Sequence, residues 1–100
     1  MTNTQDALER ALSFAEDYGL LAPIILAPMP GATPVPLSVA VTSGGGMGSC
    51  GVLLMTPDQI KSWVRDMRAS SNGTFQLNTW IPDPDPIRDQ QHEKEVRQFL

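Results

Sequence analysis

The apolar positions of the chain change period several times, and each change marks an element. Between residues 4 and 18, Leu8, Ala11, Leu12 and Ala15 share one helical face, with Thr4 ahead and Gly19 behind, which predicts a short amphipathic helix. Pro23 to Met29 reads PIILAPM, an apolar run without polar alternation, and so predicts a central strand covered on both faces. In GATPVPLSVAVTSGGG, Thr33 takes the N-cap place and Pro34 the first helical position. Leu37, Ala40 and Val41 then share a face before Gly44 ends the helix. Met47 to Leu54, small and apolar, predicts a second strand. Thr56, Pro57, Asp58 and Gln59 carry a capping-box signature, followed by Ile60, Trp63, Val64 and Met67 at helical spacing. After a turn over Ser70 to Gly73, Thr74 to Ile81 alternates and predicts a third strand, closed by a PDPDP loop. Asp85 and Pro86 open a last helical stretch, in which Glu93 and Arg97 pair across one turn and Val96, Phe99 and Leu100 are apolar.

Strands alternating with helices through short connections define a parallel α/β protein with right-handed crossovers. The strands begin near positions 23, 47 and 75, one every 24 to 28 residues, close to the ~31 per unit of a roughly 250-residue, eight-unit barrel. The expected architecture is therefore the N-terminal three βα units of a TIM (β/α)8 barrel, truncated and preceded by a short helix. Residues 1–22 form the helical extension and 23–100 the partial barrel. Three parallel strands cannot close a barrel, and they leave edges and faces uncovered. The alternative is a complete small α/β domain with the first helix as a lid on the sheet.

Composition narrows the function classes. Apolar residues make up 41% and charged residues 18% of the 100 residues, which suits a soluble chain with a thin core. The nine prolines and eight glycines stand at element boundaries and leave the apolar runs intact. A net charge of −4, with the seven Lys and Arg residues scattered and not clustered, argues against nucleic-acid binding. One cysteine and one histidine allow neither an internal disulfide nor a Cys/His metal cluster. No apolar run spans a bilayer and no signal-peptide pattern opens the chain. A cytoplasmic protein without a membrane partner is expected.

Gly46, Gly48 and Gly51 match the G-x-G-x-x-G spacing of dinucleotide-binding turns. Here, however, a helix precedes and a strand follows, the reverse of what that motif requires. Cys50 stands among small apolar residues with no cation nearby in sequence, and reads as packing rather than a nucleophile. Trp63 and Met67 read as core. Asp83, Asp85 and Asp89 are interleaved with prolines and lack a glycine-centred loop, so a solvated turn is expected in place of a cation site.

Three blocks stand in order: PIILAPMPGATP at 23–34, TSGGGMGSCG at 42–51 and FQLNTWIPDP at 75–84. With the TPDQI helix opening included, residues 23–100 resemble the N-terminal part of nitronate monooxygenases, also called 2-nitropropane dioxygenases. Residues 1–22 carry no such mark. The resemblance implies an FMN-binding (β/α)8 barrel that oxidises alkyl nitronates with O2 through the flavin, with the cofactor at the C-terminal ends of the strands. It implies that the backbone of Ala27, Pro28 and Met29 packs along the isoalloxazine, with Gly31 giving room for the turn, and that Asn78 hydrogen-bonds the flavin. A plain strand-end turn and a loop-bonded Asn are the structural alternatives.

Two positions depart from the family pattern. Pro30 follows Met29 where Ala or Gly is usual, and Trp80 replaces a smaller or phenyl side chain; either would crowd the flavin face. The family's catalytic histidine and its phosphate-binding glycine loops lie beyond the third unit, and His92 reads as a surface residue. No catalytic residue is therefore expected among these 100, and the chain by itself is expected to be inactive. A related FMN-dependent enoyl reductase using a nicotinamide, and a non-catalytic α/β module self-associating through open strand edges, are the competing readings.

Overall fold

Parallel pairing on both sides of one short strand organises the chain. The computed structural model describes residues 3–100. Its elements are helix α1 (Asn3–Asp17), α2 (Val35–Ser43), strand β1 (Gly48–Gly51), α3 (Pro57–Ser70), β2 (Phe75–Asn78) and α4 (Gln90–Phe99). β1 and β2 run parallel with Gly48 opposite Phe75 and Gly51 opposite Asn78. On the other flank of β1, Met47 N–H donates to the Ile24 carbonyl at 2.9 Å and Leu26 N–H to the Met47 carbonyl at 3.0 Å, a parallel bridge centred on Ile25. Three segments thus lie in the order of the chain, joined by helices, as the α/β reading requires.

The first segment corrects the expectation of a central, buried strand. Its pairing stops at that bridge, and Ile24 is 62% and Ile25 44% exposed. Proline explains the short ladder: Pro23 and Pro28 flank the bridge and have no N–H to donate. The segment also has one strand neighbour only. β1 and β2 are likewise shorter than the apolar runs that predicted them, because Val52 already accepts the Met55 N–H of a turn at 3.0 Å and β2 ends at Asn78.

Helices α2 and α3 cover one face of the sheet. Cys50, Trp63 and Met67 are buried together, with Val35, Val39, Val52, Met55, Val64 and Phe75 packed around them. The Trp63 and Phe75 rings meet edge-on at 5.5 Å. The capping box at α3 is complete: Gln59 N–H donates to Thr56 Oγ1 at 3.3 Å and Thr56 N–H to Gln59 Oε1 at 2.9 Å. At α2 the cap differs from expectation. Pro34 is the N-cap, and the Thr33 hydroxyl donates instead to the Met29 carbonyl at 3.2 Å.

Helix α1 closes the opposite end of the strands. Leu20 N–H reaches the Ala15 carbonyl at 2.7 Å and Gly19 N–H the Glu16 carbonyl at 3.1 Å, a Schellman ending. Thr74 Oγ1 then donates to the Tyr18 carbonyl at 2.7 Å, fastening the helix to the start of β2. Leu8 and Leu12, further up α1, are 58% and 56% exposed.

The last helix begins at Gln90 and not near Asp85, because Pro82, Pro84 and Pro86 hold residues 79–89 out of helical geometry. Asp89 caps it, accepting from His92 N–H at 3.0 Å. The expected Glu93–Arg97 pair is present at 4.0 Å, but Glu93 is held more closely by Arg88, whose Nε stands 2.7 Å from Oε1. The whole is a slab of 53 × 49 × 24 Å with a radius of gyration of 19.3 Å, against about 13 Å for a closed 100-residue domain. Among the described residues, no helix is long and apolar enough to cross a membrane.

Candidate functional site

A type II turn crowns the C-terminal ends of the strands. The Met29 carbonyl accepts from Ala32 N–H at 2.9 Å, with Pro30 at the second position and Gly31, φ 74°, at the third, the residues that this turn favours. Trp63 Nε1–H donates to the Thr33 carbonyl at 3.1 Å and anchors the loop on α3. Beneath the turn, a Cβ on Gly51 would stand 3.0 Å from Pro30 N and 3.1 Å from its Cδ. A side chain there would force the turn, which passes directly over β1, to give by a few tenths of an ångström. Pro30, which would crowd a flavin, thus has its ring seated on Gly51.

The structure brings the expected strand ends side by side. Val52 N–H donates to the Asn78 carbonyl at 2.9 Å, tying the end of β1 to that of β2. Ala27 and Met29 are exposed, and Pro28 and Asn78 half-buried. Among the described residues, none hydrogen-bonds the Asn78 carboxamide or the main chain of Ala27. A small hollow of about 220 Å³ opens between turn and helix, lined by Gly31, Thr33, Cys50, Gly51, Met55 and Trp63. Cys50 Sγ lies 3.6 Å from Met55 Sδ, and burial pushes its thiol up, so it stays protonated and serves packing.

Other candidates fall outside this group. Trp80 lies past the end of β2 and is 58% exposed. Asp83, Asp85 and His92 are exposed. Gly46, Gly48 and Gly51 run from a turn through β1, so they are strand and not phosphate-loop glycines. Two polar contacts escaped the sequence reading: the Trp63–Thr33 bond and a Ser38–Ser49 pairing. Neither residue pair stands at a spacing that marks a motif.

A nitronate monooxygenase of Paraburkholderia phytofirmans is 38% identical over 66 residues, covering 66% of this chain and 18% of that protein. The chain is a relative of the nitronate monooxygenases. A Bacillus subtilis protein named "probable nitronate monooxygenase" is 33% identical over 70 residues, 69% of the chain and 20% of that protein. The Pseudomonas aeruginosa nitronate monooxygenase is 30% identical over 79 residues, 76% of the chain and 22% of that protein. The chain spans about a fifth of the length of these curated relatives. No protein-family model matches it. Among solved structures, FabK from Thermotoga maritima, a TIM-barrel enzyme, superposes with a TM-score of 0.66 at 25% identity, covering 72% of this chain and 23% of that one. The nitronate monooxygenase likeness and the parallel layout of strands together support a piece of a barrel.

Proposed function

We propose that this chain forms part of the flavin floor of an FMN-dependent oxidoreductase that oxidises alkyl nitronates with O2. The observation that carries the reading is the row of strand ends at residues 27–29, 51–52 and 78, in which the Asn78 carboxamide and the Ala27 main chain have no partner among the described residues. A half-buried carboxamide offers two donors and an acceptor, which match the alternating carbonyls and N–H of a flavin edge. Ala27, Pro28 and Met29 would pack along the isoalloxazine and Asn78 would hydrogen-bond it. FMN itself supplies the redox chemistry when bound.

These residues bind and orient; none of them is assigned a catalytic role. The chain by itself is therefore expected to show no nitronate-dependent oxygen uptake. In the protein purified from its source, Asn78→Ala should weaken FMN binding about tenfold, the loss of one hydrogen bond to a charged or strongly polar group. Unchanged flavin affinity would count against the role of Asn78. The likeness to FabK favours a second reading, a related FMN-dependent enoyl reductase. Rapid flavin reduction by NADH or NADPH would decide for it, and nitronate-dependent oxygen uptake for the first.

A further inference from the structure

Helix α1 rests on the face of the sheet that α2 and α3 leave open. Those two helices cover the side of Cys50 and Phe75, and strand alternation turns Met47 and Gln76 to the other side. Phe14 and Tyr18 of α1 stand there: with Ile25, Met47, Thr74 and Gln76 they border a hollow of about 210 Å³ at the starts of the strands, and Met47 is 5% exposed. Two bonds fix the end of the helix, from Thr74 Oγ1 to the Tyr18 carbonyl at 2.7 Å and from Leu21 N–H to the Gly45 carbonyl at 2.9 Å. The apolar arc of α1 is wider than this contact. Leu12 and Leu8 continue the flank of Ala15, one and two turns back, while Asp6, Glu9, Glu16 and Asp17 hold the opposite arc. Ala15 is 5% exposed, but Leu12 is 56% and Leu8 58% exposed.

We propose that α1 plugs the N-terminal mouth of a closed barrel, where Leu8 and Leu12 pack against apolar side chains at the starts of strands beyond the three described here. The inference rests on the partial-barrel part of the proposed function. In a (β/α)8 barrel the strand-connecting helices cover the outside, so the face that carries α1 is the inward one, and the strand starts are its N-terminal end. Three strands enclose no interior, and the chain spans about a fifth of the length of its curated relatives. The helix also outreaches the strands it touches. Its 15 residues extend over about 22 Å at ~1.5 Å each, whereas three strand segments spaced by ~4.8 Å are about 10 Å wide. A barrel interior is filled by layers of branched apolar side chains drawn from alternate strands. A helix seated on Ile25 and Met47 therefore meets the matching layer of the remaining strands with its next apolar positions, which are Leu12 and Leu8. The flavin floor lies at the opposite ends of the strands, so the plug closes the interior without touching the cofactor.

The test uses the natural protein that contains these residues, expressed from its own gene, with bound FMN measured alongside. Leu12→Cys and Ser13→Cys variants are treated with a maleimide and the labelled peptide is weighed; Ser13 is exposed on the polar arc, and Cys50 is buried. Leu12→Cys is expected to react about tenfold more slowly or less, as a side chain that only local opening exposes, and the difference should persist on dilution. Leu8→Asp with Leu12→Asp should speed amide exchange over residues 8–15 about tenfold or more and leave the FMN content unchanged. The labelling comparison needs no disruptive substitution and decides the matter even where the double aspartate variant does not fold. Equal labelling rates in a protein that holds FMN would overturn the plug and leave the flavin reading standing. Protection lost on dilution would assign the face to a second copy and overturn the plug as well. Slow labelling at every dilution in a flavin-free protein would uphold the plug and count against the flavin floor.

Discussion

The Ser38 hydroxyl does for Ser49 what a neighbouring strand would otherwise do. It donates to the Ser49 carbonyl at 2.9 Å and accepts from the Ser49 N–H at 3.0 Å. Two residues earlier, Met47 makes the corresponding pair of bonds with Ile24 and Leu26. Continuing that ladder would require an N–H from residue 28, which is proline. Both serines are fully buried, so the two main-chain groups must be satisfied by the protein itself. A hydroxyl, donor and acceptor at once, replaces both halves of the missing strand. The first segment is thereby free to leave the sheet at Ala27 and turn over the strand ends.

Ser38→Ala should therefore destabilise the chain by about 2–4 kcal/mol, since it strands a buried N–H and a buried carbonyl. Ser49→Ala should be neutral or stabilising, because the Ser49 hydroxyl is buried with no partner among the described residues. Denaturant unfolding of the two variants separates them; equal losses would contradict the strand-replacement account. Adding Pro28→Ala to Ser38→Ala should recover about 1 kcal/mol by restoring the ladder donor.

Gly51→Ala pushes a methyl into Pro30, which the type II turn holds in place. A loss of about 1–3 kcal/mol is expected, with amide chemical-shift changes spreading to Gly31 and Ala32. Pro30→Ala should relieve much of that loss in the double variant. Additive effects would show that turn and strand are not in contact.

The pH response of α4 follows from Glu93. The Arg88 guanidinium holds its carboxylate below the ordinary range. A depressed folded-state value means that the stabilisation is present above the unfolded-state value and is lost as pH falls through the folded one. Helicity over residues 90–99, followed by NMR carbon shifts, should thus fall on acidification in the wild type and change less in Glu93→Gln. An identical acid response in both would show that the pair does not support the helix.

How much of this was legible in the sequence varied with the kind of signal. The capping box of α3 depends on residues three apart and was readable outright, as were helix α1 and the burial of Trp63 and Met67; the α1 stripe is buried only at Ala15, with Leu8 and Leu12 exposed. The PIILAPM run was misread as a buried central strand because apolar content reports what a segment can bury, not which neighbours it has; its two prolines were the clue to a short ladder. Thr33 looked like a cap, yet its hydroxyl was claimed by the Met29 carbonyl, a choice set by the turn over Gly51. Ser38–Ser49 and Trp63–Thr33 join residues 11 and 30 positions apart, and no local pattern encodes such pairs. The site residues Ala27, Pro28, Met29 and Asn78 came from family likeness. Bottom-up reading located only the strand ends on which they stand.

The most direct test of the central claim is native mass spectrometry of the polypeptide purified from its source, reading chain mass, subunit count and bound cofactor in one spectrum. The account predicts FMN bound to the species that contains these residues, one flavin per barrel. A flavin-free species in every state, monomeric or dimeric, would contradict it.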